Sequence, residues 1–508
     1  MKYKNALVLL AFGNTASAQA TEPYPGLDAY ITNAVQTWKI PGVSVAIVRN
    51  DSVIYAKGFG VRAAGGHGAV NERTLFEIGS DTKSFTATTI AMLVSEGKMR
   101  WDAPIAEYLP DFKLADPVAN GAVTIRDALS HRTGIGRGEL VWVGSGATRD
   151  ELVHRMRFMK PESPFRSQFS YQNVMYLVAG QAAGKAAGST WDAQVRERIL
   201  VPVGMASSVT SYKGLTDTNV SVPHGMDHDT AFRRPAFDAN NIAPAGAVIS
   251  NAIDMAKWIR FQLNDGVVKG KRLVESAALR ETHTPQMLVG RGNAFPDSLG
   301  AHFPTYAMGW LVEDYRSRLL WQHSGGTIGM TSQVGLLPDQ KFGVVVMSNM
   351  GSTSVPKLLQ DYILDRAVGA PVRDLSGDAY TRYATQRQRA DSVARAQDAQ
   401  HPATALPPLP LAAYAGTFAD SLYGIVTVAV KDGHLMLAHG EWSGPLQYWN
   451  ANNFRWTLPL TAALNTLPVK FDVAPDNAVT GIYFGLGADV NLLGRVAAPR
   501  IDRRGGTQ

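Results

Sequence analysis

The feature that most constrains this 508-residue chain is a polar, proline-rich stretch that separates two parts of different character. Residues 374–400 carry charges of both signs and few apolar positions, which is typical of an exposed helix or tether. Residues 401–410 contain four prolines, the composition of a stiff linker. Helical and strand patterns mix before this stretch, whereas short strand patterns follow it. The sequence therefore predicts two folded domains with a connecting segment over residues 371–410.

Paired strands and long helical patterns characterise the first part of the chain. Two apolar runs, Val43–Val48 and Val53–Ala56, flank an Asn-Asp pair that is typical of a hairpin turn. A second pair of runs, Thr331–Leu337 and Phe342–Met347, flanks a Pro-Asp turn signal. Mainly helical patterns lie between the two pairs. The first part is therefore expected to form an α+β domain.

The last part of the chain, residues 411–508, is predicted to be a small all-β domain. The runs Ile425–Val430 and His434–Leu437 are separated by Lys-Asp-Gly, a hairpin signal, and further strand-like runs follow. Five aromatic residues there could form a ligand surface, but the core of so small a domain needs large apolar side chains. We expect them in that core: Trp442, Tyr448, Trp449, Phe454 and Trp456.

Residues 1–20 have the order of a secretory signal. Lys2 and Lys4 precede an apolar run that is too short to span a membrane, and small residues follow it. Cleavage after Ala18 or after Ala20 is compatible with the pattern. The mature first domain then covers residues 21–370, and we expect a periplasmic or secreted bacterial protein.

Composition excludes several classes of function. The formal net charge of +6 is too small for a chain of this length to indicate nucleic-acid binding. The chain has no cysteine, which excludes disulfides, thiol nucleophiles and Cys-based metal centres. His224, Asp227 and His228 could cluster around a metal, but they lie in a predicted loop without helical spacing. No membrane span, metal or cofactor is predicted.

The first chemical motif places a serine and a lysine at the start of an apolar helix. Ser80 and Lys83 are three residues apart, so on a helix they lie on one face. The residues that follow are apolar nearly all round, as expected of a buried helix. A partly desolvated lysine loses its proton more readily than one in water and can activate a neighbouring hydroxyl. The same spacing recurs at Ser95 and Ser354, where helix ends explain it.

Two further motifs could complete such a site. Tyr171 and Asn173 lie two residues apart in a loop before an apolar helix, so both can face one cleft. A phenol near a lysine could carry a proton between nucleophile and leaving group. His323-Ser324-Gly325-Gly326 precedes the second strand pair, and its glycines allow a substrate backbone to approach a free N–H group.

An α/β-hydrolase is excluded on sequence grounds. That fold needs a Gly-x-Ser-x-Gly turn between a strand and a helix. The nearest match, residues 42–46, ends in alanine and continues as a strand.

Taken in order, the three motifs resemble those of the serine β-lactamase and penicillin-binding-protein superfamily. The closest branch contains class C β-lactamases, D-Ala-D-Ala carboxypeptidases, D-aminopeptidases and related esterases. The resemblance covers most of residues 25–370, and residues 411–508 resemble the lipocalin-like barrel of some members. It implies an antiparallel sheet flanked by helices, an α-helical subdomain and a small C-terminal β-barrel. Further similar segments are Glu96–Pro110, Val123–Gly134, Pro244–Asp254 and Tyr306–Trp310.

The resemblance also implies a role for each motif residue. Ser80 would attack a carbonyl and form an acyl-enzyme, with Lys83 and Tyr171 sharing the proton transfers in an order that the sequence leaves open. Asn173 would position substrate. His323 would replace a lysine of the lactamases, with Ser324 and Gly325 beside it. The backbone N–H groups of Ser80 and Gly326 would form the oxyanion hole.

His323 is the most informative departure from the lactamase pattern. Lysine supplies a permanent charge for a β-lactam carboxylate, whereas histidine is mostly neutral near pH 7. Family members with histidine at this position are more often peptidases or amidases than efficient lactamases. We therefore expect a D-amino-acid peptidase or amidase, or a D-Ala-D-Ala carboxypeptidase-like enzyme, acting on a small molecule or peptide. The alternatives are a carboxylesterase or weak β-lactamase, and, from another class, a non-catalytic penicillin or peptide sensor.

Overall fold

The computed structural model describes residues 22–290, 303–399, 406–457, 466–485 and 496–502. The expected signal peptide lies outside these residues, as does part of the predicted linker. None of the helices in the described ranges is both long and apolar enough to cross a bilayer.

In the part of the chain that the structure describes, the first domain contains most of the helices and fourteen strands. The strands are β1 (Gly42–Arg49), β2 (Ser52–Gly60), β3 (Phe76–Glu77), β4 (His224–Asp227), β5 (Thr230–Arg233), β6 (Ile249–Ser250), β7 (Val267–Val268), β8 (Lys271–Arg272), β9 (Met287–Leu288), β10 (Thr305–Tyr306), β11 (Leu311–Tyr315), β12 (Arg318–Gly326), β13 (Thr331–Leu337) and β14 (Phe342–Ser348). The helices are α1 (Leu27–Thr37), α2 (Thr82–Ser95), α3 (Pro117–Ala122), α4 (Ile125–Leu129), α5 (Arg149–Arg155), α6 (Val174–Ala186), α7 (Trp191–Val195), α8 (Val201–Val203), α9 (Ala243–Gly246), α10 (Ala252–Leu263), α11 (Ser276–Glu281) and α12 (Val355–Ala367). A polar helix, α13 (Leu375–Ala399), follows.

Eight antiparallel strands form the main sheet in the spatial order β2-β1-β14-β13-β12-β11-β10-β9. Successive residues of a strand face opposite sides, and both sides of β14 are covered by helices. Val344 and Val346 lie in the core that contains α1 and α12, whereas Val345 and Met347 lie in the core that contains α10. Because both faces are covered, every residue of β14 is buried.

Helix α2 lies in the interior of the first domain. Twelve of its fourteen residues are buried, from Thr82 to Leu93. It contacts α6, α7, α9 and α11, so that helices rather than solvent surround it. The apolar pattern around this helix predicted that position, and any functional group at its first turn is therefore held by the core.

The C-terminal domain is an eight-stranded antiparallel barrel in which each strand pairs with the next. A bridge between Phe418 and Arg500 links the first and last strands. Inward residues alternate with outward ones, as Leu467, Val469 and Phe471 show. Its elements are α14 (Leu411–Tyr414), β15 (Gly416–Asp420), β16 (Gly424–Lys431), β17 (His434–His439), β18 (Trp442–Asn450), β19 (Asn453–Thr457), β20 (Thr466–Val473), β21 (Val479–Phe484) and β22 (Val496–Pro499).

The barrel packs on the first domain through the turn between β17 and β18. The Glu441 N–H donates to the Gly144 carbonyl at 2.6 Å, and the Trp442 indole covers Gly144. A cavity of about 950 Å³ lies at this junction, lined by Trp142, Phe237 and Glu441 together with residues of α5, α6 and the start of α7. The barrel turn thus forms part of a cavity wall that neither domain would complete alone.

The structure confirms the predicted fold class, including both hairpins of the first domain. Asn50 and Asp51 have left-handed backbones with φ of 48° and 60°, the geometry of the tight turn that their residue types indicate. The segment around His224 differs from the prediction: instead of a loop it is the hairpin β4–β5. His224 is buried there, and its ring nitrogens contact the Ala64 N–H and the Asn349 carbonyl.

The aromatic residues of the barrel divide between two environments. Phe454 and Trp456 are buried in the barrel core, as predicted. Trp442 is half-buried and faces the first domain, which corrects the expectation that all five pack in the core. Trp449 is also half-buried, but its ring stacks on Arg455 of the same domain.

We expect Trp442→Ala to loosen the junction between the domains, because the indole covers Gly144 across it. Hydrogen–deuterium exchange of residues 142–148 should become faster. Trp449→Ala removes an indole of similar exposure from the same strand and is the matched control. Equal acceleration in the two variants would contradict the assignment of Trp442 to the junction.

Candidate active site

A 3₁₀ turn, Gly79–Asp81, presents Ser80 immediately before helix α2. Gly79 has a left-handed backbone with φ of 49°, and a Cβ there would lie 2.6 Å from the Gly326 nitrogen. Only glycine allows the turn to approach β12 so closely. Ser80 itself is half-buried, so its hydroxyl is held by the core while a substrate can still reach it.

Lys83 lies fully buried beneath Ser80. Its Nζ is 2.9 Å from Ser80 Oγ, as the three-residue spacing predicts. Two carbonyl oxygens complete its surroundings: Asn173 Oδ1 at 2.7 Å and the Ala245 backbone oxygen at 3.0 Å. The amine thus forms hydrogen bonds with one hydroxyl, that of Ser80, and with two carbonyl oxygens.

The pKa of Lys83 lies well below its ordinary value. Burial is the main cause, because it disfavours the charged form. The carboxylates of Glu139 and Asp81 oppose this shift, and the guanidinium of Arg137 adds to it. The structure therefore favours a neutral amine beside Ser80.

Tyr171 lies close to both Ser80 and Lys83, and the Lys83 Nζ is 4.8 Å from the centroid of the phenol ring. Burial raises its pKa above the ordinary phenol value, while Arg137 and a hydrogen bond with Ser80 oppose the rise. The loop that carries Tyr171 is held by His131, whose Nδ1 accepts from the Gln172 N–H at 3.0 Å. The phenol is therefore held in its protonated form near the serine.

Asn173 connects Lys83 to a buried charged pair. Its Oδ1 faces Lys83, and its Nδ2 donates to Glu139 Oε1 at 2.9 Å. Glu139 in turn accepts from Arg137 Nε at 2.5 Å. The sequence assigned Asn173 to positioning substrate. In the structure its amide contacts Lys83 and Glu139, so Asn173 holds the amine in place, and its contact with substrate stays a prediction.

His323 is buried and uncharged. Burial, and secondarily the nearby Lys83, lower its pKa to about 3. Nδ1 lies 2.8 Å from the Ser324 carbonyl and therefore donates to it, which leaves Nε2 to accept from the Tyr306 hydroxyl at 3.0 Å. The position held by lysine in the lactamases thus presents no positive charge here.

The end of β12 lies against the turn that carries Ser80. β11 pairs with β12 only as far as Gln322, so residues 323–326 extend beyond that neighbour. Gly325 has no room for a side chain, because a Cβ would lie 1.8 Å from the Ile78 carbonyl. At the exposed Gly326 a Cβ would meet open space. This places the Gly326 backbone beside Ser80, as an oxyanion hole requires.

Sequence reasoning missed several groups that surround the predicted residues. Arg137 lies in a glycine-rich coil and Glu139 begins the 3₁₀ turn that follows it, and a charged pair two residues apart among buried positions was the available signal. The Ala245 carbonyl has no side-chain signal, since it is a backbone group. Asp81, next to the serine, is buried, and burial raises its pKa to about 8. Its Oδ2 accepts from Ser332 Oγ at 2.6 Å.

Comparison with known proteins identifies the family. Residues 27–368 match the family model described as Beta-lactamase. The chain belongs to the β-lactamase family. Residues 400–494 match a domain of unknown function, DUF3471.

Individual relatives of this β-lactamase-family chain are distant. Unguisins hydrolase ungD of Aspergillus violaceofuscus is 27% identical over 90% of this chain and 86% of its own. The octameric penicillin-binding protein homologue from Pyrococcus abyssi has a TM-score of 0.62 at 21% identity, covering 93% of this chain and 99% of that one. A class C β-lactamase from Rhodobacter sphaeroides has a TM-score of 0.56 at 20% identity, covering 68% and 100%. The two structures share the fold with this chain.

Opposite pH shifts are expected when the charged pair next to Asn173 is changed. Glu139→Gln removes a negative charge that raises the pKa of both Lys83 and Tyr171. Arg137→Gln removes a positive charge that lowers both pKa values. The pH below which Ser80 loses reactivity should therefore fall in Glu139→Gln and rise in Arg137→Gln, by on the order of one pH unit.

The rate at which a fluorophosphonate labels Ser80, measured against pH, checks these shifts without any assumption about substrate. Shifts in the same direction in both variants would contradict the electrostatic assignment.

Proposed function

We propose that this member of the β-lactamase family hydrolyses amide or ester bonds through an acyl-enzyme on Ser80. The proposed substrates are D-amino-acid peptides or amides, including D-Ala-D-Ala-type peptides. The family and the relative named a hydrolase support hydrolysis in general. The observation that carries the proposal is the contact between the buried Lys83 amine, whose pKa is lowered by burial, and the Ser80 hydroxyl.

The surroundings of Lys83 suit a base. A neutral amine has two hydrogens and one lone pair. Asn173 Oδ1 and the Ala245 carbonyl accept the two hydrogens, so the lone pair is left to accept from the Ser80 hydroxyl. Tyr171, with its raised pKa, stays protonated and suits the donor role. The pKa directions thus favour Lys83 as the first base.

Acylation then proceeds by proton transfer and addition. The Ser80 proton passes to Lys83 as Oγ bonds to the substrate carbonyl carbon, and the carbonyl oxygen becomes an oxyanion. The backbone N–H groups of Ser80 and Gly326 stabilise it. Tyr171 gives its proton to the leaving amine or alcohol as the C–N or C–O bond breaks, and recovers one from Lys83. Deacylation repeats these steps with water as the nucleophile, which releases the acid and restores Ser80.

The absence of charge at His323 supports the proposed substrate class. An uncharged, hydrogen-bonded imidazole offers no ion pair to a carboxylate. Uncharged ends of a substrate, such as the amide of a D-amino acid, lose nothing at this position, whereas β-lactams and peptides that end in a D-Ala carboxylate gain no ion pair from it. The exposed and open position at Gly326 leaves room beside the oxyanion hole for a peptide backbone.

The barrel is proposed to bound the substrate cleft. Trp142 lines the junction cavity and follows directly on the 3₁₀ turn Glu139–Val141, whose Glu139 contacts the site. The cavity is not lined by Ser80, so a substrate would meet it only beyond the scissile bond.

Export to the periplasm or medium, proposed from the basic and apolar start of the sequence, is checked by fractionating cells that express the full-length chain.

Ser80→Ala and Lys83→Ala should each lower kcat/KM on the order of a thousandfold or more, because nucleophile and base act as a unit. Mass spectrometry should find a fluorophosphonate adduct on Ser80 of the wild type only. Ser95→Ala, which changes the serine of the same spacing at the end of α2, is the control and should retain activity. Near-normal turnover in Ser80→Ala or Lys83→Ala would remove the mechanism.

A substrate panel separates the proposed class from its alternatives. D-amino-acid amides should be turned over fastest, ahead of D-Ala-terminated peptides, whose carboxylate meets no charge at His323, and ahead of short-chain esters and a chromogenic cephalosporin. Preference for the esters would favour a carboxylesterase, and preference for the cephalosporin a β-lactamase. A stable adduct on Ser80 with no turnover of any substrate would favour a non-catalytic peptide sensor.

A further inference from the structure

Glu77 is a buried carboxylate that the mechanism does not use. It lies in β3, three residues before Ser80, and only 4% of it is exposed. Burial raises its pKa, and three donors oppose the rise: Thr327, Tyr212 and the Phe237 N–H. These three donors are two hydroxyls and one backbone N–H, so none of them brings a positive charge to the carboxyl group. A carboxylate in this position costs desolvation free energy and needs a structural reason.

The three donors come from three different segments. Tyr212 Oη donates to Glu77 Oε1 at 2.6 Å, and the Phe237 N–H donates to the same oxygen at 2.9 Å. Thr327 Oγ1 donates to the other oxygen, Oε2, at 2.5 Å. Thr327 directly follows Gly326, whose N–H is one of the two oxyanion donors. The other donor, Ser80, belongs to the same chain segment as Glu77.

We propose that Glu77 is a positioning residue that sets the distance between the two oxyanion donors. One carboxylate oxygen holds the residue after Gly326, while the Glu77 backbone leads through Ile78 and Gly79 to Ser80. A second link comes from strand β13, where Ser332 Oγ contacts the Ile78 carbonyl before Ser80 and Asp81 Oδ2 after it. The Glu77–Thr327 bond is the link nearest to Gly326.

The proposal rests on the proposed acyl-transfer function and deepens it. An oxyanion forms only in the tetrahedral intermediate, so a misplaced donor raises the energy of that state and leaves substrate binding nearly unchanged. Loss of the Thr327 bond should therefore lower kcat more than it raises KM. It should also weaken the binding of phenylboronic acid, because the tetrahedral adduct of this inhibitor with serine places an oxygen in the oxyanion hole.

Two single substitutions form a matched pair. Thr327→Val and Tyr212→Phe each remove one hydroxyl donor from the same buried carboxylate, but only Thr327 adjoins Gly326. We expect Thr327→Val to lower kcat about tenfold and to raise the Ki of phenylboronic acid by a similar factor. This effect is smaller than that of removing an oxyanion donor, because the Gly326 N–H is displaced and not lost. Tyr212→Phe should change both by less than about twofold, at a similar loss in Tm.

Two further variants separate loss of the Glu77–Thr327 hydrogen bond from loss of other contacts of Thr327. Thr327 Oγ1 also accepts from the Met330 N–H at 3.2 Å, a contact that valine removes as well. Thr327→Ser keeps the hydroxyl and should behave as the wild type. Glu77→Gln leaves the Met330 contact in place and should shift kcat and Ki in the same direction as Thr327→Val, by a smaller factor.

Equal effects of Thr327→Val and Tyr212→Phe on kcat and Ki would overturn the positioning role. Hydrogen–deuterium exchange of residues 324–328 gives a readout that needs no turnover: Thr327→Val should accelerate it and Tyr212→Phe should not. If the wild type neither hydrolyses the panel nor binds phenylboronic acid, the proposed function fails. The exchange comparison still decides whether Glu77 holds the Gly326 segment.

Discussion

The contact between Lys83 and Ser80 is the interaction on which the rest of the site depends. A lysine that is completely buried is far more stable without its charge than with it. Helix α2 imposes that burial, because helices rather than solvent surround it. Two carbonyl oxygens, Asn173 Oδ1 and that of Ala245, lie within hydrogen-bonding distance of the amine. The lowered pKa of Lys83 is thus a consequence of core packing.

Buried charges elsewhere in the site adjust this contact. Glu139 and Arg137 form one pair that acts on the lysine through Asn173 and through space. Asp81 and Glu77 are two carboxylates that hold the turn of Ser80 to the loop and strand beyond it. Each of these carboxyls has lost most of its water, and each recovers hydrogen bonds from hydroxyl or amide donors. The desolvation cost is offset only if both segments are in place, which makes the geometry cooperative.

Local patterns predicted the parts of the molecule in which sequence neighbours interact. The hairpins follow from alternating apolar residues around turn residues such as Asn50 and Asp51, and the Ser80–Lys83 contact follows from one helical turn. Contacts between distant segments left no local trace. Glu139 accepts a hydrogen bond from Asn173, which is 34 residues away in the sequence, and the Trp442 indole of the barrel packs on Gly144 of the first domain. The hairpin at His224 escaped prediction because its strands are short and partly polar.

The two glycines that end β12 have different consequences for how this enzyme family can change. Gly325 is closed to any other residue by the Ile78 carbonyl, whereas Gly326 borders open space and has no left-handed backbone. A side chain introduced at Gly326 would project into open space without disturbing the framework beneath it. New selectivity can therefore arise by single mutational steps at that rim, and a randomised library there is a natural starting point for laboratory evolution.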